Sequence, residues 1–458
     1  MRSFIILLTG MALLGSNVTC AQSNPKNASL GKAIKDLGSF FKKKPASLPA
    51  GNDKLPANNA AVQADKGNAG ALSPGAVSLA VDKLFDFNKG VAIVRKGTSA
   101  ALIDPKGNLV VPFNSYDFSY YTVSVLQNVL LSNGLLRFQT TDHQQWGYMN
   151  SSATVIARGV LNDLTDNKRL LELNNSGRWT YTTPDGKKYF PGDRLADINE
   201  GIGIMRRQIN GNVIIGYKRL SGDPLVTTAF DELYRFSEGL AVVGKKDQFG
   251  DIKYGYINTD GKLVIPLLYS IKPSEFSGGY ARVVPKDKSA FEYAFINKKG
   301  EIVFRQTQAD ILKYGTFDHF TTYGMAFNMK YVMDATFKLT SKADFFKSYG
   351  IPADSWFIGE QNSVEGETNP KLLYSTRGVV GTYTRLPLTG FINFGTGKVV
   401  APVFDLLNVN AIYFDPTAKL AYAKVCLGKS NTGALIYREG YINENGLFVI
   451  VKAEGSRW

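Results

Sequence analysis

From Val81 onward, hydrophobic and polar positions alternate over short runs that are separated by polar, glycine-containing segments. Runs of this length that are rich in β-branched and aromatic residues are typical of short antiparallel strands. The clearest example has three runs, at residues 236–243, 254–258 and 263–266, with a tight turn at 259–262. We expect one strand from each run and a meander from the three together.

The same pattern recurs along the chain. Residues 276–303 repeat residues 236–266 closely, with Phe-Ser-x-Gly in the first run and aromatic-Ile-Asn in the second. Less faithful copies lie at residues 87–112, 146–150, 390–402 and 440–446, with weaker traces at 179–181, 216–218 and 324–327. About nine units of around forty residues are indicated, the length at which repeats build propeller blades or solenoid coils.

Glycine, aromatic and small residues hold fixed places in the copies, which indicates a structural role. Glycine before an aromatic residue allows a neighbouring backbone to approach closely, and Asp-Gly or Asn-Gly supplies the positive φ of a two-residue hairpin. The aromatic residue and the isoleucine after it should point to opposite faces. The signature positions are Trp146, Gly147, Gly239, Ala241, Gly255, Tyr256, Gly261, Gly279, Phe295, Gly300, Gly390, Phe391, Gly440 and Tyr441.

These motifs resemble the bacterial WG-containing repeat family. The resemblance covers most of residues 84–450 and is most specific at 236–266 and 276–303. Only Trp146-Gly147 keeps the tryptophan of the second strand, whereas Tyr254-Gly255 and other pairs replace it elsewhere. The resemblance implies an all-β tandem array, often exported, with no common catalytic activity.

The sequence therefore predicts an all-β fold of tandem antiparallel meander repeats over residues 81–458. Each unit alone would expose an apolar face, so several units must pack together for stability. The period is compatible with a closed, propeller-like ring and with an open β-solenoid. Three or four strands per unit favour the propeller.

The N-terminal residues predict export. Residues 1–21 combine Arg2, a short apolar core and small residues before a cleavage point, which is the pattern of a secretory signal peptide. Cys20 offers an alternative as the lipidated first residue of a lipoprotein, although its neighbours fit that motif poorly. We expect a protein that is periplasmic, associated with the outer membrane, or secreted.

Residues 22–80 are rich in Asn, Ala, Lys, Gly, Pro and Ser and predict a disordered linker. Within them, residues 29–44 place Leu and Phe at helical spacing beside five lysines. This segment could be an amphipathic helix that rests on a membrane surface or a transiently helical part of the tether. Peripheral membrane association through this region is therefore one expectation, and the oligomeric state stays open.

The formal net charge of +14 favours an acidic partner. Because export argues against nucleic acid as a ligand, we expect an envelope protein or an anionic glycan. Lipid headgroups are the other acidic partner that the charge allows, and a basic, solvated surface without a dedicated anionic partner is the alternative. The functional prediction is an exported, non-catalytic binding or scaffolding protein of the bacterial cell envelope. The alternative is a hydrolase or lyase that acts on polysaccharide, with carboxylates from several repeats converging in one pocket.

Candidate chemistry adds no catalytic, cofactor-binding or metal-binding residues to this prediction. The chain has only two histidines, His143 and His319, and each follows an aspartate whose side chain should point to the opposite face of a strand. Several carboxylates precede turn glycines, and the favoured interpretation is turn formation. These carboxylates are Asp104, Asp185 and Asp260, and a further pair, Glu365 and Glu367, lies in a polar loop.

Two other features leave alternatives open. Cys426 would be the single cysteine of a chain cleaved after Ala21, and its strand-like surroundings predict a small buried residue. The aromatic-rich insertion 343–370 could be a binding loop or a helical cover over one end of the array.

Overall fold

The computed structural model describes residues 69–118, 135–158, 170–175, 178–227, 229–284, 293–321, 323–361, 371–405 and 412–453. The predictions for the signal peptide, Cys20, the helix at 29–44 and the pair Glu365 and Glu367 lie outside these residues.

The described chain is built of short strands with two short helices. The strands are β1 (Leu72–Leu79), β2 (Lys83–Leu84), β3 (Ala92–Lys96), β4 (Ser99–Ile103), β5 (Leu109–Val111), β6 (Leu135–Gln139), β7 (Trp146–Asn150), β8 (Val155–Arg158), β9 (Leu171–Asn175), β10 (Arg178–Thr182), β11 (Lys188–Gly192), β12 (Leu195–Asn199), β13 (Ile202–Ile209), β14 (Asn212–Arg219), β15 (Pro224–Thr227), β16 (Glu232–Ser237), β17 (Leu240–Lys246), β18 (Ile252–Asn258), β19 (Leu263–Tyr269), β20 (Tyr280–Val283), β21 (Tyr293–Asn297), β22 (Ile302–Gln306), β23 (Ala326–Phe327), β24 (Tyr331–Met333), β25 (Leu339–Ser341), β26 (Trp356–Gln361), β27 (Lys371–Ser375), β28 (Leu388–Asn393), β29 (Lys398–Asp405), β30 (Leu420–Lys429), β31 (Leu435–Asn443) and β32 (Phe448–Lys452). The helices are α1 (Gln308–Tyr314) and α2 (Lys342–Ser348).

These strands form nine small sheets that are arranged as a nine-bladed β-propeller. We number the blades in chain order: β2–β5, β6–β8, β9–β11, β12–β15, β16–β19, β20–β22, β23–β25, β26–β29 and β30–β32. A full blade is an antiparallel meander of strands A to D, as in blade 5, where A is β16 and D is β19. The prediction of an all-β array of about nine meander repeats is confirmed, and the closed propeller is the alternative that the chain adopts.

The first predicted strand of each unit is wrong in one respect, because a turn divides it. Residues 236–243 were expected as one strand, but β16 ends at Ser237 and β17 begins at Leu240. Glu238 and Gly239 both have positive φ, as a two-residue type I′ hairpin requires. The Phe-Ser-x-Gly motif is thus the A–B turn, and it divides the run that was predicted as one strand into strands A and B of blade 5.

The second turn differs from the two-residue hairpin that was expected at Asp-Gly and Asn-Gly. Between β18 and β19 the loop has three residues, and Gly261 takes the positive φ at its third position. The side chain of Asn258 accepts hydrogen bonds from the amides of Asp260 and Lys262, at 3.1 and 3.0 Å. Gly300 holds the same place after Asn297. A type I turn followed by a left-handed glycine makes this C–D turn.

Strand alternation distributes the core between neighbouring blades. Tyr256 and Ile257 are both fully buried, yet they belong to different hydrophobic clusters. Tyr256 packs with Phe276 of blade 6, whereas Ile257 and Ala241 pack with Tyr217 of blade 4. The expectation that the aromatic residue and the following isoleucine occupy opposite faces is confirmed.

The array begins earlier than the sequence indicated. Residues up to 80 were assigned to the linker, but β1 forms a strand that pairs in parallel with β32 at the outer edge of blade 9. Its register shifts between Leu72 and Val77, where Pro74 and Gly75 lie. Proline and glycine are tolerated at an edge strand with a bulge, so a segment with linker-like composition can still join a sheet.

Contacts between blade 9 and blade 1 close the ring. Residues of both blades, including Leu420 and Ala92, share one buried cluster. The carboxylate of Asp415 in blade 9 accepts hydrogen bonds from the amides of Lys89 and Gly90 in blade 1, each at 2.8 Å. An open solenoid would leave these two end units without such contacts.

Candidate binding surface

The signature aromatic residues meet at the boundaries between blades. The ring of Tyr256, in strand C of blade 5, lies 5.0 Å from the ring of Phe276, in the first motif of blade 6, in an edge-to-face arrangement. This geometry favours aromatic pairs because the positive edge of one ring meets the negative face of the other. Equivalent pairs join Tyr217 to Phe236, Phe295 to Phe320, Phe391 to Phe414 and Tyr441 to Phe87.

Polar residues of the A–B turns also bond across these boundaries. The hydroxyl of Ser237 donates a hydrogen bond of 2.7 Å to the carbonyl of Phe276. The carboxylate of Glu238 accepts one of 3.0 Å from the amide of Gly279. The same contacts occur at neighbouring boundaries: Asn199 to Phe236, Ser277 to Phe320, and Glu200 with Gly239. Polar residues of the A–B turns thus join blade 4 to blade 5, blade 5 to blade 6 and blade 6 to blade 7.

The glycine before each aromatic residue makes room for the backbone of strand D. A Cβ on Gly255 would lie 2.4 Å from the carbonyl oxygen of Ile265, far inside van der Waals contact. Equivalent obstructions of 2.1 to 2.5 Å exist at Gly147, Gly390 and Gly440. Trp146, which precedes Gly147, is half-buried beneath the guanidinium of Arg137, 4.2 Å from the ring centre. All signature residues therefore have structural roles, and a binding surface must be sought elsewhere.

The meander assigns the turns of every blade to two faces. Since successive strands run in opposite directions, A–B and C–D turns leave one end of a blade, and B–C turns leave the other. The bonds between successive A–B turns place these turns on one face of the ring. We call it the turn face. The opposite face, which carries the B–C hairpins and the D–A connections, is the hairpin face.

The hairpin face carries many exposed large hydrophobic side chains. Phe249, at the B–C turn of blade 5, is 82% exposed, and Met329, at that of blade 7, is 89% exposed. The B–C hairpins of blades 4, 8 and 9 add Ile209, Val213, Val380, Tyr383, Leu386, Leu427, Leu435 and Ile436. Connections between blades on the same face add Leu268, Ile271 and Leu312. Exposed apolar clusters of this extent mark interaction sites in soluble proteins.

The same hairpins are cationic. Residues 206–214, 245–253, 327–331, 376–387 and 426–437 contain nine Lys or Arg and two Asp. Both aspartates flank Phe249, and the side chain of Asp247 accepts hydrogen bonds from the amides of Phe249 and Asp251. The C–D turns of the opposite face, in contrast, hold carboxylates and cations in similar numbers. The B–C hairpins of this face thus combine apolar tips with positive charge. The D–A connections beside them carry carboxylates, including Asp231, which accepts a hydrogen bond from the amide of Lys246, and Asp193, which pairs with Arg207.

Buried hydrogen bonds fix the hairpins of blades 8 and 9 against each other. One carboxylate oxygen of Asp405 accepts a hydrogen bond of 3.0 Å from the hydroxyl of Thr384, and the other accepts one of 2.7 Å from the amide of Cys426. Tyr383 lies within contact distance of the position that a Cβ on Gly428 would take. This part of the hairpin face is therefore held by the fold. Cys426 lies in β30 as expected, but it is half-buried rather than buried.

Two titratable groups lie at blade boundaries and have shifted pKa values. Burial raises the pKa of the Asp86 carboxyl, beside Phe87 in blade 1, to about 6. Burial also lowers the pKa of Lys371 in blade 8, although the carboxylate of Glu444 in blade 9 lies 2.8 Å away and opposes that shift. Asp86 precedes the A–B turn of blade 1, and Lys371 contacts Glu444 in the C–D turn of blade 9. Neither group therefore belongs to the hairpin face.

In each histidine and aspartate doublet, one residue pairs with a residue outside the doublet. His143 sits in a turn with positive φ, and its Nδ1 atom lies 3.3 Å from Asp117 rather than pairing with Asp142. Asp318, beside His319, pairs with Arg282 at 2.7 Å. Both doublets occupy loop positions, which is one of the two placements, loop or strand edge, that the sequence favoured.

The remaining sequence candidates are distributed over turns and packing contacts. Asp104 accepts hydrogen bonds from two amides of its own C–D turn, Asp185 bonds to Thr183, and Asp260 is a turn residue after Asn258. In the insertion, α2 buries Phe345 and Phe346 against residues of blades 7 and 8. The described part of the insertion thus comprises the packed helix α2 and strand A of blade 8.

A cavity of about 250 Å³ lies beside β1 and is lined by Ser73, Pro74, Gly75, Ala76, Val77, Pro105, Lys106 and Val449. Its lining contains no carboxylate. Within the described ranges, no three His, Cys, Asp or Glu side chains come together as metal ligands would. No helix in that part of the chain has the length and apolarity needed to cross a bilayer.

The hydrophobic B–C hairpins were missed at the sequence level. A signal was present in blade 5, where Phe249 interrupts the polar turn Asp-Gln-Phe-Gly-Asp. A turn residue has no core to enter, so a large aromatic side chain there must be exposed. Recognising that Phe249 is exposed required the B–C turn to be located. Because residues 236–243 were predicted as one strand, the order of strands A to D could not be assigned.

Comparisons with known proteins give one family match and several distant structural similarities. Among solved structures, the chain is similar to a eukaryotic initiation factor, with 11% identity, 84% of this chain and 91% of that chain covered, and a TM-score of 0.29. Dipeptidyl peptidase 4 of Porphyromonas gingivalis has 8% identity, coverage of 78% and 64%, and a TM-score of 0.34. Hsv2 of Kluyveromyces lactis has 11% identity, coverage of 79% and 99%, and a TM-score of 0.23. These values are too low to indicate a function.

No curated protein matches the chain. The family model of the WG containing repeat matches residues 210–248 and 254–288. Both matches begin near strand C of one blade and extend into the A and B strands of the next, so each contains a complete aromatic pair, Tyr217 with Phe236 or Tyr256 with Phe276. One repeat of the sequence thus spans the boundary between two blades, and residues 210–248 and 254–288 each match the WG containing repeat, as the motifs there indicated.

Proposed function

We propose that the protein is an exported, non-catalytic module that binds a component of the bacterial cell envelope through the hairpin face of its propeller. The observation that carries this proposal is the concentration of exposed hydrophobic tips and cations on one face. The signal-peptide pattern of residues 1–21 supports a location in the cell envelope. The signature residues pack at the boundaries between blades, which supports a scaffold role.

Catalysis would require a different arrangement. A polysaccharide hydrolase or lyase needs carboxylates that converge around a cleft. The buried carboxylates of Asp405 and Asp415 are engaged in structural bonds, and the lining of the cavity beside β1 contains no carboxylate. Because no described feature favours that alternative, binding is the function that the geometry supports best.

The test is retention of envelope components by the purified chain without residues 1–21. A hairpin-face variant, Phe249→Ser with Met329→Ser, is compared with a turn-face control, Leu109→Ser with Leu263→Ser, which removes side chains that are about half exposed. We expect the first variant to lose retained material and the control to keep it. Equal retention by both variants would contradict the proposal.

A further inference from the structure

We propose that the hairpin face binds an anionic lipid bilayer, with its hydrophobic tips entering the headgroup region. This inference rests on the proposed function and names its partner. It follows from three properties of the face: the spread of its apolar tips, their protrusion, and the charge around them.

The first property is distribution. Apolar tips occur on blades 4, 5, 7, 8 and 9 and are therefore spread around more than half of the ring. A protein ligand usually concentrates its binding energy in a few central, well-packed residues. A bilayer instead presents the same chemistry at every point of a broad surface, and such a surface can accept separate tips at once.

The second property is protrusion. Phe249 and Met329 are exposed by more than four-fifths, which places nearly the whole side chain beyond the propeller body. In blades 4 and 9, the hydrophobic residues flank hairpins whose strands B and C are among the longest in the chain. Single side chains that project from turns gain little from a flat, rigid protein surface. They lose their contact with water when they enter the boundary between headgroups and acyl chains.

The third property is charge. Exposed cations lie close to the tips in the sequence: Lys245 and Lys246 before Phe249, Lys330 after Met329, Arg385 before Leu386 and Lys429 after Leu427, with Asp247 and Asp251 as the carboxylates on either side of Phe249. Aliphatic stems of Lys and Arg can lie along apolar surface while their charged ends reach phosphate oxygens. Each cation near an anionic leaflet adds to the attraction, which weakens as salt increases. Apolar tips with cations beside them match anionic lipid better than a polar, anionic glycan.

Flotation with vesicles tests this inference. The purified chain without residues 1–21 is mixed with vesicles of equal parts phosphatidylglycerol and phosphatidylethanolamine, or of phosphatidylcholine alone. We expect flotation with the anionic vesicles, a loss at high salt, and little binding to phosphatidylcholine. Phe249→Ser with Met329→Ser should weaken binding about tenfold or more, because each lost apolar contact alone is worth about a factor of ten. Leu109→Ser with Leu263→Ser should bind as the unmodified chain does.

A charge variant and a fluorescence measurement separate this mechanism from adsorption by the N-terminal region. Lys245→Glu with Lys246→Glu should weaken binding and reduce its salt dependence. Phe249→Trp should gain emission that brominated lipids quench, whereas Leu109→Trp should not. Flotation that the Phe249 and Met329 changes leave intact would overturn the inference, since every variant still contains residues 22–68.

The outcomes also distinguish this inference from the proposed function. If no vesicle binds, but envelope protein or glycan is retained and the Phe249 and Met329 changes release it, the lipid inference fails and the binding function stands. If those changes affect neither vesicle binding nor retention, both fail. Circular dichroism of each variant checks that the propeller remains folded.

Discussion

The hydroxyl of Tyr441 donates a hydrogen bond of 2.5 Å to the carbonyl oxygen of Phe85, which joins the last blade of the propeller to the first. Tyr441 is completely buried, and its ring also packs edge-to-face on Phe87 at 4.6 Å. One residue of the repeat signature therefore makes the same boundary contact as its counterparts and, in addition, closes the ring.

Tyr441→Phe should destabilise the protein by about 1 to 2 kcal/mol, because it removes one buried hydrogen bond and leaves the carbonyl of Phe85 without that donor. The ring packing with Phe87 is preserved, so the loss reports on the hydroxyl alone. Denaturant unfolding followed by circular dichroism measures it. Tyr383→Phe, at an exposed position, is the control and should leave the unfolding midpoint unchanged. Equal midpoints for both variants would mean that the hydroxyl adds nothing to closure.

Gly255→Ala should be among the most destabilising single changes, with a loss of more than about 2 kcal/mol, because the added methyl group meets the backbone of Ile265 and Pro266. Those atoms belong to strand D and cannot rotate away. Gly359→Ala is the matched control, since a Cβ there meets nothing within 4 Å. Thermal unfolding compares the two, and a mild effect at Gly255 would contradict the structural role of the motif.

Deletion of residues 1–80, which starts the chain where the sequence placed the array, should lower the melting temperature relative to a chain that starts at residue 69. The shorter chain lacks β1, so the outer edge of β32 loses its parallel partner and the amide of Phe448 loses its bond to Ala71. Differential scanning calorimetry makes the comparison. Identical melting temperatures would mean that β1 rests on the propeller without stabilising it.

Asp86 should make stability depend on pH between about 4 and 6. Its carboxyl has a pKa of about 6 in the folded chain, above its ordinary value, so the folded state binds the proton more tightly than the unfolded state. Stability from this group is present at low pH and is lost as pH rises through 6. Asp86→Asn should therefore stabilise the protein by about 1 to 2 kcal/mol at pH 8, after allowance for partial exposure, and have little effect at pH 4.

Asp185→Asn is the control of opposite sign. The hydrogen bond from Thr183 lowers the pKa of the Asp185 carboxyl, so its contribution is present above the ordinary pKa and is lost on acidification. A stability gain for Asp86→Asn that is the same at pH 4 and pH 8 would show that deprotonation of Asp86 is not the cause.

The repeat pattern predicted most of the architecture because it consists of residues whose conformations depend on their neighbours in the sequence. Glycines at turns and the alternation of Tyr256 and Ile257 depend on neighbours in sequence, and they located strands C and D of blade 5, β18 and β19. Two features depend on distant partners and could not be inferred in this way. The pairing of β1 with β32 joins opposite ends of the chain, and closure depends on Asp415 meeting Lys89 and Gly90.

The hairpin face could not be predicted from the sequence for a related reason. Phe249 and Met329 are hydrophobic residues in polar surroundings, which a sequence alone does not distinguish from core positions. Only the assignment of B–C turns to one face relates these two residues, which are 80 positions apart, to a single surface. The order of strands within a blade, rather than any motif, thus identified the hairpin face.

Hydroxyl-radical footprinting of the protein on isolated envelopes tests the central claim most directly, because it measures the exposure of individual side chains in the unmodified chain. The account predicts that Phe249 and Met329, both highly exposed in the free protein, become protected on envelopes, whereas Leu109 and Leu263 keep their reactivity. Unchanged reactivity of Phe249 and Met329, or equal protection of all four residues, would contradict binding through the hairpin face.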